Sequence, residues 1–498
     1  MAEDPARPSL WRFVGLGAAA VLAAASYGAG SRPKLHTAIL WPGLEWQVPT
    51  GGSPLLATVS ILAMGVLVAA WWRLREAWVS VTWWQVTAAL WFAPLLASAP
   101  LYSRDLYSYA AQGALWDQGL SPYEHGVADL DSEWRSATAP TWLDTTAPYG
   151  PVFLLLARGV AAVSGGHLLV ALVLLRLLAV TAVVAMVWAV PEIAKRLAVA
   201  EPEQAAWLGV AAPLVGAHFV SGAHNDALMV AGVLLGIVLA LRHRFVWAVV
   251  VVALAAMVKI TALVAVPFLA LLWAASRPPI SWPRLLLRCA AAAGLTLLPI
   301  LAVALATRLG FSWVNPASTS GRNEQWTSLP TALGMAIGAV GHVLGQEAWR
   351  DAGIASMRVA GLVVMVVVLI VVWLRAASRM GDRAFVVRSI GYAMLTVIVL
   401  APAFLGWYFL WVLPVLAATI DGRQHPRRVT GLAVVAAVLC FAQLPDGYSL
   451  GLTTTAVGVP VALVLTVLLV RAGWRWTRVT DWRHFLDLPA VVVAEQRT

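Results

Sequence analysis

The sequence predicts an all-α, polytopic integral membrane protein with about 13–14 transmembrane helices, and three observations predict it. First, 61% of the 498 residues are hydrophobic and only 12% are charged; the mean hydropathy is +0.80, and long stretches carry no charge. Second, runs such as 356–374, broken only by Arg358 near its start, and 452–470 are apolar on nearly every face. That suits a helix in lipid, whereas the strands of a membrane barrel need short segments of alternating polarity. Third, the 34 Lys and Arg residues gather in short clusters between the apolar runs. A net charge of +10 distributed in this way reports orientation in a bilayer and not a nucleic-acid partner. The chain has no P-loop, no dinucleotide-binding glycine fingerprint and no soluble segment large enough to hold a nucleotide. Cys289 and Cys440 both fall inside apolar runs and read as small buried hydrophobes, not as a disulfide or a metal site.

Taken in order, the first apolar run, Val14–Gly30, is long enough to span and lacks a small-residue cleavage site, so it reads as a retained helix. Basic clusters follow at Arg73 and Arg75, Lys195 and Arg196, Arg242 and Arg244, Arg277 to Arg288, Arg375 to Arg383, Arg423 to Arg428, and Arg471 to Arg478. If all face the cytoplasm, an even number of spans separates each successive pair. The stretch SRDLYSYAAQGALWDQGLSPYEHG at 103–126 interrupts this pattern with polar and aromatic groups. Within it Leu106, Tyr109, Ala110, Gly113 and Trp116 keep one helical face, predicting an amphipathic helix over 106–118 that lies on the membrane. Parity makes 149–165, which opens at Pro151 and carries Arg158, an outer juxtamembrane helix and not a span.

Between Lys195 and Arg242 the polar break HNDA at 224–227 predicts a helical hairpin, and GVLLG at 232–236 hints at close helix packing. The apolar stretch Phe245–Ala275 would make a single helix roughly 46 Å long against a hydrocarbon core of about 30 Å. It would also leave Lys259 near the bilayer centre. Two short helices with Lys259 at their tip remove both problems. The segment Ser389–Thr419, punctuated by Pro402 and Gly406, is treated the same way, with LGWYF at its tip. The result is one transmembrane domain over 1–472 with external loops at 101–148 and 309–350. A short cytoplasmic tail follows at 473–498, and both termini lie in the cytoplasm.

The polar groups then gather at the outer face: Asp105, Tyr107 and Tyr109 in the first loop, His218, Ser221, His224, Asn225 and Asp226 at one tip, Lys259 at a second, Trp407 and Tyr408 at a third, and Arg322 in the second loop. A sugar joined through phosphate to a polyprenol suits such a lipid-bounded, water-accessible cavity. Lys259 and Arg322 would bind the phosphodiester, which leaves as a stable anion. Asp105 would take the proton of an attacking alcohol, and the aromatic faces would stack on sugar rings. Each residue also has a plainer reading. Asp105 is placed to cap the helix after it, His224 and Asn225 could cap the next one, Trp407 and Tyr408 suit an interfacial aromatic belt, and Arg322 suits a solvated loop. Lys259, inside an apolar run, is the hardest to assign to structure alone.

SRDLYSYAAQGALWDQGLSPY, TAPYGP at 146–151 and HNDALM at 224–229, in that order, resemble the actinobacterial polyprenol-phosphomannose-dependent alpha-(1->6)-mannopyranosyltransferases. The resemblance covers roughly residues 50–420. It implies the C-type glycosyltransferase fold, a plasma-membrane enzyme with its active site on the extracytoplasmic face, and a part in building the mannan core of lipomannan and lipoarabinomannan. It implies a polyprenyl-phosphate-mannose donor, a lipid-anchored or oligomannoside acceptor, and single displacement with inversion, from a β-linked mannosyl phosphate to an α-mannoside. Asp105 matches the family's essential acidic residue, and His224, Asn225 and Asp226 its second polar motif. Many C-type enzymes carry two acidic residues one apart in this loop, whereas Asp105 is followed by Leu106 and Tyr107; no cofactor is therefore expected and a divalent ion is doubtful. The competing readings are a glycosyltransferase for another lipid-linked sugar and a lipid or sugar flippase; no internal repeat of the kind transporters use is evident.

Overall fold

The computed structural model describes residues 6–30, 53–277, 281–314 and 324–478. Arg322 lies outside them. Apart from one isolated bridge between Gln443 and Ser449, every regular element among the described residues is helical. The major helices are α1 (Ala6–Ala29), α2 (Pro54–Arg73), α3 (Val81–Leu96), α4 (Asp105–Asp117), α5 (Pro151–Val163), α6 (Leu168–Leu197), α7 (Pro202–Gly209), α8 (Asp226–Leu241) and α9 (Phe245–Ala256). After them come α10 (Val266–Ala275), α11 (Trp282–Thr307), α12 (Leu329–Val343), α13 (Trp349–Ser378), α14 (Arg383–Leu400), α15 (Leu413–Ala417), α16 (Pro426–Leu439) and α17 (Thr455–Arg478).

Six of the described helices are long and apolar enough to cross a bilayer, and a seventh span arises if Pro213–Ser221 and Asp226–Leu241, bent by 118°, count as one. The molecule is a multi-pass membrane protein. Much of the remaining apolar sequence, which hydropathy reads toward about 13–14 spans, forms helices of 10–17 residues such as α5, α9 and α12. Two of these shorter elements meet at Lys259: α9 ends at Ala256, and a 3-10 turn from Ile260 leads into α10. Likewise α14 ends at Leu400, and a 3-10 turn over Gly406–Trp411 precedes α15.

Local chemistry fixes several of these boundaries. The side chains of Ser53, Ser80 and Asp382 accept from the backbone N–H groups of Leu56, Trp83 and Phe385 and so cap α2, α3 and α14. Pro151 opens α5 at a position where no N–H is needed. The glycines of GVLLG do mark close packing: a Cβ on Gly232 would lie 2.6 Å from the Ala255 Cβ, and one on Gly236 would overlap Val252, so α8 and α9 touch almost backbone to backbone. Trp71 and Trp207 stack at 5.0 Å and each donates its indole N–H to the other's carbonyl at 3.0 Å, which satisfies two buried donors.

The helix from Asp105 does not lie on a surface. Ten of its thirteen residues are buried, including the polar Ser108 and Gln112. Small residues cause this: at Gly113 a Cβ would overlap the carbonyl of Ala157, so α5 closes directly over α4. At the opposite end of the bundle Glu192 of α6 pairs with Arg196 at 2.7 Å and with Arg242 at 2.8 Å. Two of the basic clusters therefore share one end. From there to Asp226 the 16 residues of α8 rise about 24 Å. The polar breaks thus sit inside or at the edge of a hydrocarbon layer of about 30 Å.

Candidate active site

Three breaks in helices and two loop segments converge. The first break, between the turn at Gly216–Ser221 and α8, is unusual in its backbone. Residues 216–221 form a π-helical turn, closed by Gly222 N–H on Ala217 O at 2.9 Å; such turns recur where a helix is interrupted for function. Ala223 then takes a left-handed conformation, φ 47°, which costs a non-glycine residue roughly 1–2 kcal/mol. These two distortions turn His224, Asn225 and Asp226 toward the second break at Lys259 and the third at Gly406–Trp411. Arg176 of α6 holds the arrangement by donating to Leu96 O at 2.8 Å, Ser98 O at 2.7 Å and Ser221 O at 2.9 Å.

Asp105 is the first residue of α4, and Arg104 occupies the capping position. Its carboxylate does not cap the helix. Oδ1 accepts from the Trp142 indole at 3.0 Å, and Oδ2 lies 3.4 Å from His224 Nδ1. The side chain keeps 14% exposure while His224 has none. The His224 ring lies flat on Trp407, 3.9 Å between centroids and 22° between planes. Burial raises the Asp105 pKa, but His224, the Trp142 indole and, at longer range, the Lys259 ammonium more than offset it. The carboxyl is held below its ordinary value.

A few residues away, Asp226 Oδ1 accepts from both Lys259 Nζ and the Trp411 indole, each at 2.7 Å. Lys259 Nζ also sits 4.6 Å from the Tyr408 ring centre and 5.0 Å from that of Trp411. Asp226 is 1% exposed and Lys259 16%. The ammonium therefore has an edge open to solvent and N–H donors beyond the one that Asp226 takes. The TAPYGP loop docks on this second break: Gly150 N–H bonds Val258 O and Val152 N–H bonds Met257 O, both at 3.1 Å. A Cβ at Gly150 would overlap Met257 O, so glycine is required there. One carboxylate and one ammonium, both partly accessible and within electrostatic reach of each other, thus stand among indole and phenol rings.

A family model described as "Alpha-(1->6)-mannopyranosyltransferase, N-terminal domain" matches residues 12–275, and one described as "MptB C-terminal domain" matches residues 330–471. The chain belongs to the alpha-(1->6)-mannopyranosyltransferase family. It is 32% identical to alpha-(1->6)-mannopyranosyltransferase A of Mycobacterium tuberculosis over 87% of this chain and 84% of the relative. It is 30% identical to a probable alpha-(1->6)-mannopyranosyltransferase of Mycolicibacterium smegmatis over 93% and 89%, and 26% identical to alpha-(1->6)-mannopyranosyltransferase B of Corynebacterium glutamicum over 94% and 82%. It is a mannosyltransferase, so a mannose donor and an acceptor must meet in it.

In this alpha-(1->6)-mannopyranosyltransferase the sequence-predicted residues separate into two groups. Asp105, Lys259 and Tyr408 retain access to solvent. His218, His224, Asn225, Asp226, Tyr109 and Trp407 are buried behind them. Tyr109 donates to Asn225 Oδ1 at 3.4 Å and meets Tyr149 and Phe153 edge to face. His218 stands 5.4 Å from Trp407, and the burial of Trp407 removes it from any interfacial belt. Tyr107 is buried on the side of α4 that influences Arg176. Among the described residues no group of three His, Cys, Asp or Glu side chains is placed to hold a metal ion.

Sequence reasoning missed Trp142, Trp411, Tyr149 and Arg176. Arg176 had a signal, being one arginine inside the apolar run 168–190, where a charge is a functional candidate by default. The tryptophans had none, because 26 of them are scattered through the chain.

Proposed function

We propose that the enzyme transfers mannose from polyprenyl-phosphate-mannose to a mannoside hydroxyl at the extracytoplasmic face, with Asp105 as general base. The observation that carries this reading is a partly exposed carboxylate within electrostatic reach of a partly exposed ammonium, at the ends of half-length helices. The acceptor oxygen attacks the anomeric carbon while the bond from that carbon to the phosphate oxygen breaks. The bonding pair leaves on the polyprenyl phosphate, and the hydroxyl proton passes to the Asp105 carboxylate. Lys259 meets the phosphate through the N–H donors Asp226 does not use, stabilising charge that grows as the bond breaks. One base and no enzyme nucleophile fit inversion in a single displacement. Asp226 and Trp411 act behind Lys259, as Trp142 and His224 act behind Asp105. The product extends an alpha-(1->6)-linked mannan, and the lipomannan core is the polymer this chemistry would build.

The test is transfer by purified protein in detergent from radiolabelled polyprenyl-phosphate-mannose to a short mannoside, with linkage analysis of the product. Asp105→Asn should lower kcat by about 10²- to 10⁴-fold. Movement of labelled lipid across vesicles without a new glycosidic bond would favour the flippase instead, and full activity in the variant would return Asp105 to a structural role. For the face, Arg135→Cys on the exposed loop, in a background with Cys289 and Cys440 replaced by alanine, should react in intact cells with a membrane-impermeant thiol reagent.

A further inference from the structure

Within its apolar stretch 356–374, α13 carries one charge, Arg358, and a charge in such a helix is a functional candidate by default. Its Nε–H donates to Thr331 Oγ1 at 2.9 Å, and the Thr331 hydroxyl donates in turn to Pro402 O at 2.8 Å. Two more hydroxyls of the same segment act alike, Ser328 donating to Ala401 O at 2.8 Å and Thr327 to Phe404 O at 2.9 Å. Ser328 and Thr331 are fully buried. The three carbonyls belong to the third helix break, where α14 has ended and the chain is extended at Ala401; among the described residues no backbone N–H reaches them. An unmet carbonyl is costly at membrane depth, and here side chains satisfy all three. One helical turn beyond Arg358, a Cβ on Gly361 would lie 2.5 Å from Pro330 Cγ and 3.1 Å from Leu400 O. The same face of α13 therefore clamps both the corner at 328–331 and the end of α14.

The turn at 406–411 follows this break directly. Its Trp407 ring lies on His224, which stands beside Asp105; its Trp411 indole donates to Asp226, and its Tyr408 ring centre is 4.6 Å from Lys259 Nζ. We propose that Arg358 is a positioning residue for mannosyl transfer, acting through Thr331 and Pro402 to aim that turn. The inference rests on the reading that Asp105 and Lys259 are the reacting groups, and adds a residue of a distant helix that sets their geometry. A hydroxyl that accepts from a guanidinium is polarised and donates more strongly. The charge therefore reinforces the bond at Pro402, a residue with no N–H of its own by which the backbone could be tied. Three hydroxyls alone would satisfy the break. A guanidinium is costly in an apolar helix, and this one is placed where it stiffens the support of the aromatic turn. Stiffness matters because a displacement of about 1 Å at the reacting groups can cost up to about 100-fold in rate.

Arg358→Met in the purified full chain removes the donor and keeps an unbranched side chain. Transfer from polyprenyl-phosphate-mannose to a short mannoside should fall in kcat by about 10- to 100-fold, and backbone hydrogen exchange over 403–411 should quicken. Thr331→Val should do the same, and supplies the reading if the first variant fails to fold. Arg358→Lys and Thr331→Ser keep the donor and the hydroxyl and should regain most of kcat. Thr454→Val removes the acceptor of the Trp326 indole, a bond of the neighbouring connection and not of the break, and should leave kcat unchanged. Wild-type kcat in the two disabling variants, or a lowered kcat with unchanged exchange over 403–411, would overturn the proposal. An equal loss in Thr454→Val, the mark of a general structural fault, would overturn it too. Full activity of Asp105→Asn beside a slow Arg358→Met with quickened exchange would sink the Asp105 reading and sustain the role of Arg358, so the two fail separately.

Discussion

Replacing Asp226 by asparagine isolates what the buried ion pair does. The carboxylate is 1% exposed and Lys259 16%, so neither charge is well solvated without the other. Removing one partner of a buried pair costs about 3–5 kcal/mol because the remaining charge is left uncompensated. The open edge of Lys259 moves the expectation to the lower end, about 3 kcal/mol. The Trp411 bond survives, since asparagine keeps an acceptor oxygen in place. In detergent, Asp226→Asn should therefore lower the thermal midpoint by several degrees. Lys259 is then no longer aimed, and losing one well-placed bond to a charged group, about 1.5–3 kcal/mol, means roughly a ten- to hundredfold rise in donor KM. The double variant Asp226→Asn with Lys259→Met removes both charges and should recover most of the thermal midpoint while transfer stays low. A single variant with wild-type midpoint and donor KM, or a strictly additive double variant, would refute the assignment of Asp226 as the positioning partner of Lys259.

The pH profile tests Asp105. With its carboxyl held below the ordinary value, the base form persists as pH falls through about 4, and kcat/KM should decline only below that; a decline centred near 6.5 would point to a histidine instead. Trp142→Phe removes the indole donor to Asp105 and should shift that acid limb upward while lowering activity, measured on the same profile. Gly150→Ala should destabilise the protein by about 1–3 kcal/mol, because the added methyl meets the backbone carbonyl of Met257, which cannot rotate away. Gly159→Ala, with nothing within 4 Å of its Cβ, is the matched control, and equal thermal midpoints for the two would contradict the packing described.

The three helix breaks were legible because length and charge jointly forbid the alternative. A straight helix through Lys259 would be too long and would bury a charge, and the structure breaks there. The same holds at HNDA and around Gly406. The close approach at GVLLG was legible for a steric reason, since two glycines one turn apart leave room for little else than a neighbouring backbone. The state of α4 was not. Its Ala, Gly and Tyr residues satisfy an amphipathic pattern and a buried one equally, and only α5 settles the matter by closing over Gly113. Among the described residues six helices, or seven with the bent pair, are long and apolar enough to span, and the other apolar helices are shorter; hydropathy does not separate a half-length apolar helix from part of a full span. Trp142 and Trp411 escaped because an indole donor aimed at a carboxylate leaves no periodic or charge signature.

The Asp226 carboxylate accepts from an indole 185 positions further along the chain. During synthesis and insertion, everything up to α10 can be in place while that oxygen still lacks one of its donors and His224 still lacks the Trp407 ring against it. The reactive centre is therefore finished late, once residues 406–411 have emerged and folded back. A nascent or prematurely terminated chain that had already inserted its first helices would hold Asp105 and Lys259 without the aromatic wall that aligns them. Such a fragment would occupy the membrane without being able to transfer mannose.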